Sequence, residues 1–116
     1  MTTLDRAAIL AAQDIAQEHV SVPEWGGTVI VKAMSGLERN EFSKLTLNEK
    51  REFDATRYHA ALAIVSCVDE HGAPIFSAED MGALQRKSAA ALERVGAAAE
   101  RLSGIGAAAQ ETARGN

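Results

Sequence analysis

The sequence predicts a mainly α-helical α+β domain: about four helices with an N-terminal antiparallel hairpin. Three observations carry this. An alternating stretch, "HVSV" then "TVIVKAM", brackets "PEWGG", which is the pattern of two strands and a turn. Apolar residues recur at helical spacing from Tyr58 to Val68 and from Met81 to Leu102. Alanine makes up about a fifth of the 116 residues, and it favours helix while burying little area per side chain.

The first segment, "TTLDRAAILAAQDIAQEHV", predicts a helix with Thr3 as N-cap and Asp5 in its first turn. Leu4, Ala8, Ala11 and Ala12 form its face, and poor periodicity in "QDIAQEHV" stops it near Ala12. From His19 the period becomes two. Val20 and Val22 alternate with His19 and Ser21. Pro23 marks a strand end because it cannot donate to a ladder. Gly26-Gly27 turns the chain, and Val29, Val31 and Ala33 fall on one side of the second strand. A loop of this length predicts a bulge. An isolated hairpin is marginal in water, so a helix must cover it. Ser35-Gly36-Leu37-Glu38 has capping-box spacing, and Leu37, Phe42 and Leu45 make a stripe behind it.

"KLTLNEKREF" is polar and predicts a kink or loop. A longer helix is expected over 49–68, its second half buried through Tyr58, Leu62, Val65 and Val68; a strand at its end competes with that reading. "DEHGAPIFS" is a turn, after which Ile75 and Phe76 return to the core. Ser77 caps a last helical region, broken near Lys87-Ser88. Its face is Met81, Leu84, Ala91, Leu92, Val95, Ala98, Ala99 and Leu102, and Gly104 closes it. Residues 1–104 read as one domain and 105–116 as a flexible Ala/Gly-rich tail.

Composition narrows function. The net charge is −4 and the pI about 5.3, against phosphate-backbone binding, which needs clustered Lys and Arg. Arg86, Lys87, Arg94 and Arg101 interleave with Glu93 and Glu100 and read as a solvated helix face. Cys67 is the sole cysteine and sits in an apolar run, as a buried small hydrophobe does. The N-terminus lacks a signal-peptide pattern, and no stretch approaches a membrane span of ~18 apolar residues. The expectation is a soluble cytoplasmic protein with no nucleic-acid or membrane partner.

Catalytic chemistry is sparse. His19, His59 and His71 are scattered, and Cys67 with His71 gives only half a zinc pattern. Asp69, Glu70, Glu79 and Asp80 flank one turn without cation-loop spacing. No phosphate loop, nucleophile elbow or HExxH motif occurs. The reading is a non-enzyme without cofactor or metal. Trp25 admits two readings, a ring that fills a thin core and a contact residue at a binding hot spot. The thin core also favours self-association.

"ILAAQDI", then "VSVPEWGGTVIVKAMSGLERNEF", then "VDEHGAPIFSAEDMGAL" and "KSAAALERVGAAAERLSG" resemble, in order, the tail assembly chaperones of long non-contractile-tailed phages and prophages. The matching residues include Ile9 to Ala12, Val20 to Gly27, Val29, Val31, Ser35-Gly36, Glu38-Arg39 and Phe42. The likeness spans residues 4–104. Relatives commonly continue past "LSG" into an acidic helix, whereas here the continuation is mostly alanine and glycine.

The resemblance implies binding of the tape-measure protein, whose apolar helical surface would otherwise aggregate, in the host cytoplasm and with absence from the mature virion. It also implies help in recruiting tail tube protein, which in many relatives involves a frameshifted longer form. A minor tail or connector protein retained in the virion is the alternative. Pattern alone nominates a shallow groove between the two apolar helices, with Trp25, Tyr58, Leu62, Val65, Leu92, Val95 and Leu102 as partner-binding residues.

Overall fold

A computed structural model describes residues 2–106. The α+β class holds, with two additions. Among the described residues there are five α-helices rather than about four, and the hairpin gains a third strand. The order is α1 (Arg6–Ala11), β1 (Gln17–Val22), β2 (Gly27–Lys32), α2 (Gly36–Leu45), α3 (Tyr58–Ser66), β3 (Cys67–Val68), α4 (Met81–Gln85) and α5 (Ala89–Ser103). Residues 107–116, most of the expected tail, lie outside the described residues. Ile105 packs against the core, and its N–H donates to the Glu100 carbonyl at 2.9 Å.

The hairpin is regular. β1 and β2 pair antiparallel from Gln17↔Lys32 to Val22↔Gly27 without a bulge. The expected irregularity is absorbed in the loop, where Pro23–Trp25 make one 3₁₀ turn and Gly26 closes it at φ 77°. A side chain is strained at that φ, so a glycine there fits the turn. β3 joins β2 through Ile30↔Val68 and Val31↔Cys67. Both alternatives for the end of the apolar segment are therefore realised, a helix to Ser66 and then two residues of strand. Val20, Val22 and Val31 are buried on one sheet face, and α5 packs on that side.

α2 starts as its sequence demands. Ser35 Oγ accepts from the Glu38 N–H at 3.2 Å, and Glu38 Oε1 accepts from the Ser35 N–H at 2.9 Å. Lys32 also reaches Glu38. Burial pushes the Glu38 carboxyl up, but donors from Lys32 and Ser35 outweigh it and hold the group below its ordinary range. Phe42 is buried and Leu45 partly so, whereas Leu37 is 80% exposed and takes no part in the stripe. Position 37 is in the first turn, displaced from the face that Phe42 turns inward.

The expected helix over 49–68 is shorter. Residues 46–54 form a loop closed by a Leu47↔Phe53 bridge. The Asn48 side chain accepts the Lys50 and Glu52 N–H groups, an arrangement that competes with helix. Arg51 sits at φ 62°, a left-handed conformation that helix excludes. Asp54 then accepts from the Thr56 N–H and starts the turn leading into α3. Seven of the nine α3 residues are buried, from Ala60 to Ser66. After β3, Asp69 holds the turn through the His71 and Ala73 N–H groups. Phe76 returns to the core but Ile75 stays 46% exposed.

α4 and α5 divide where the sequence suggests. Ser88 Oγ caps α5 by accepting from Ala91, and Gly104 ends it at φ 70°. Arg94 and Arg101 do not pair along their own helix. Arg94 makes two hydrogen bonds to Glu24 at 2.7 and 3.0 Å, and Arg101 two to Glu18 at 2.6 and 3.1 Å. These pairs link the hairpin to α5. At the other end Ser103 Oγ accepts the Met34 N–H, and the Ser103 carbonyl accepts from Arg39.

α1 departs most from expectation. Asp5, not Thr3, is the N-cap, accepting from Ala8 at 2.9 Å. The helix buries none of its side chains. Its expected face is mostly alanine, which offers too little area to hold a two-turn helix on the body.

Candidate functional site

The nominated groove residues sit in two environments. Leu62 and Val95 are fully buried, and Val65 and Leu92 are 6% and 7% exposed. They belong to the seam where α3 meets α5. That seam is tight at its middle. A Cβ added at Gly96 would lie 2.8 Å from His59 Cδ2 and 3.3 Å from Leu62 Cδ1, so glycine lets the two helices approach. Toward the start of both helices Leu92 borders a hollow of about 220 Å³ shared with His59, Ala60, Ala89 and Glu93. Trp25, Tyr58 and Leu102 are partly buried at the margins of the core.

Tyr58 is fixed on two sides. Its ring meets Phe42 edge-on at 5.6 Å, and its hydroxyl donates to Glu100 at 2.7 Å. Burial, reinforced by that carboxylate, pushes the phenol up to about 12. Burial alone pushes the Cys67 thiol up to about 12, so it stays protonated and inert near neutrality.

Trp25 tops the hairpin loop beside a hollow of about 280 Å³ lined by Glu24, Trp25, Phe76, Leu84 and Lys87. The Glu24–Arg94 pair holds the loop in place, and Arg94's hydrogen bonds draw the Glu24 carboxyl down to about 2. The indole Nε1 is buried and has no acceptor among the described residues. A buried donor without a partner costs ~1–3 kcal/mol.

A second apolar region lies in the N-terminal segment, where the expected helix face containing Leu4 is not buried. Every residue from 2 to 17 is exposed. Leu4, Ile9, Leu10 and Ile15 are 62%, 55%, 68% and 43% exposed. The large aliphatics at 4, 9, 10 and 15 do not all fall on one face at either a helical or a strand period, so the sequence carries little signal for them. On the outer face of the sheet, His19, Thr28, Ile30, Val68 and Ile75 line a hollow of about 520 Å³ rimmed by Asp69 and Glu70, where Val68 is buried and Ile75 is 46% exposed.

Among the described residues, no three His, Cys, Asp or Glu side chains converge as a metal site, and no helix is long and apolar enough to cross a membrane.

Comparison with known proteins bears on both fold and family. A solved structure, titled as that of the bacteriophage HK97 tail assembly chaperone, is similar with a TM-score of 0.51 at 19% identity. The alignment covers 78% of this chain and 90% of that one, a likeness of fold. Comparison with curated protein sequences gives no match. The family model described as phage tail assembly chaperone matches residues 3–115. The chain belongs to the phage tail assembly chaperone family.

Proposed function

We propose that this chaperone binds the tape-measure protein in the host cytoplasm, keeps its apolar helical surface from aggregating, and helps recruit tail tube protein. It leaves before the virion is complete. The observation that carries the reading is the hairpin tip, where Trp25 stands half-buried beside an apolar hollow. A guest side chain entering the hollow would meet Trp25, Phe76 and Leu84. Tyr58 and Leu102, partly buried at the margin of the core, contribute further contacts, and the buried Leu62, Val65, Leu92 and Val95 support the fold that presents them.

Such binding needs no catalytic group, cofactor or metal, and the family and fold point to a non-enzymatic role. Each contact can be weak if many copies coat one long guest. The test is co-expression with the large helical tail protein of the same phage or prophage. Rescue of its solubility, with co-purification, supports the reading. A guest equally insoluble with and without the chaperone refutes it. Mass spectrometry of purified virions separates this role from a minor tail component, which would be retained. Because Trp25 is the sole tryptophan, its emission should shift when the guest binds.

A further inference from the structure

We propose that the loop 46–54, between α2 and α3, docks an acidic and partly apolar segment of a partner protein. One carboxylate of that segment sits between Lys44 and Arg51, and an adjoining apolar side chain packs against Leu47 and Phe53. The loop is a miniature hairpin. The Asn48 N–H donates to the Glu52 carbonyl at 2.9 Å, and the Asp54 N–H to the Thr46 carbonyl at 2.8 Å. Leu47 and Phe53 therefore face each other as a pair with no hydrogen bonds of its own, the arrangement that brings side chains closest on one face. Glu49, Lys50 and Arg51 make the turn, closed by the Arg51 N–H on the Asn48 carbonyl at 2.9 Å. A turn of this length takes a left-handed residue at its third position, where glycine is usual. Arg51 holds that position at φ 62°. A side chain disfavours this conformation, and such outliers cluster where a binding site uses them.

The side chains on this frame suit a partner. Phe53 is 62% exposed, the one exposed aromatic among the described residues. Beside its partner Leu47, a hollow of about 400 Å³ is lined by Lys44, Leu47, Asn48 and Arg51. Neither cation has an ion-pair partner among the described residues, in a chain whose net charge is −4. The acids near them in sequence set the scale of the site. Glu41, Glu49 and Glu52 are exposed, and none of them lines the hollow. Asp54 is engaged by Thr56. Two cations with carboxylates around them suit one carboxylate and repel a polyanion such as a nucleic-acid backbone, which needs clustered positive charge. An exposed phenyl ring beside an arginine is the composition of a protein-contact anchor. The partner is therefore a protein segment in which an acidic residue adjoins an apolar one.

This site shares no residue with the Trp25 hollow, so it holds or fails independently of the tape-measure reading. The probe is a random peptide library displayed on yeast, sorted on the full chain and counter-sorted on a chain carrying both Lys44→Glu and Arg51→Glu. Peptides enriched on the wild type should carry Asp or Glu next to a large apolar residue. Binding of an enriched peptide, followed by fluorescence anisotropy, should weaken about tenfold or more in Lys44→Gln, Arg51→Gly and Phe53→Ser. That is the loss expected for one charge-assisted contact or one anchor. Arg51→Gly has a second readout. It removes the cation while fitting the turn better, so its melting temperature should hold or rise as binding falls. No enrichment over the doubly substituted chain overturns the proposal, and so do enriched peptides that lack an acidic residue. Equal competition by a single-stranded DNA oligonucleotide also overturns it. So does a Phe53→Ser chain that sediments as a smaller species than wild type, because the loop would then be a contact between copies.

Discussion

Gly96→Ala should destabilise this protein, although the same change in most helices does the opposite. Glycine inside a helix costs ~0.5–1 kcal/mol relative to alanine. Position 96 lies in the middle of α5 and is buried. The added methyl would meet His59 Cδ2 at 2.8 Å and Leu62 Cδ1 at 3.3 Å. Relief requires the His59 ring to leave its edge-on contact with Tyr58, at 5.2 Å between centroids, a pair worth ~0.5–1.5 kcal/mol. Overpacking of this kind costs ~1–3 kcal/mol in all. The helix gain offsets part of that, leaving a net loss of ~1 kcal/mol. In a His59→Ala background the nearer obstacle is gone. There Gly96→Ala should stabilise by about the helix term, ~0.5–1 kcal/mol. Urea unfolding followed by far-UV circular dichroism measures all four corners of this cycle. Equal stabilisation by Gly96→Ala in both backgrounds would refute the close α3–α5 approach and reopen the groove between them to a guest.

Three other outcomes follow from the geometry. Leu62→Ala should cost ~2–5 kcal/mol in urea unfolding, because Leu62 is fully buried. A loss below ~1 kcal/mol would mean the seam is loosely packed. Glu18, Glu24 and Glu38 all have depressed carboxyl values in the folded chain. Their contribution is present above the ordinary value of 4.5 and fades as pH falls toward the folded values, about 2 for Glu24. The melting temperature should therefore drop on acidification through that window, and Arg94→Gln should flatten its Glu24 share. The effect should be small and weaken in high salt, since this pair is at the surface. Cys67 should be unreactive toward a thiol reagent until the chain unfolds, with its labelling rate tracking unfolding; fast labelling of native protein would contradict its burial.

The elements that the sequence made legible are those whose local chemistry and burial agree. Ser35 and Glu38 announce a cap and form it. Alternation from Val20 to Val31 fixes both hairpin faces. The Ser88 and Gly104 ends of α5 are as readable as its apolar face. The errors arise where a side chain has a competing use. Asn48 satisfies the backbone of a loop and so ends the helix expected from residue 49. Arg94 and Arg101 find glutamates distant in sequence, which no helical spacing reveals.

The interaction surfaces were less legible for a related reason. Periodicity identifies a residue that faces something, and it does not tell a fold's own core from a partner. Leu62, Val65, Leu92 and Val95 have the spacing of a binding face and serve the α3–α5 seam. The N-terminal segment was harder still. Leu4, Ile9, Leu10 and Ile15 follow no single period, and their exposure depends on the rest of the chain having nothing to offer them. Trp25 stands between these cases, with one part of its ring in the core and its edge at a hollow.

The most direct measurement is light scattering during dilution of the denatured tape-measure protein into buffer containing increasing amounts of this chain. Scattering should fall in proportion to chaperone added and reach a plateau at many copies per guest, with Trp25→Ala requiring a clear excess to reach it. A scattering curve that an unrelated acidic protein of the same size reproduces would contradict the chaperone's binding of this guest.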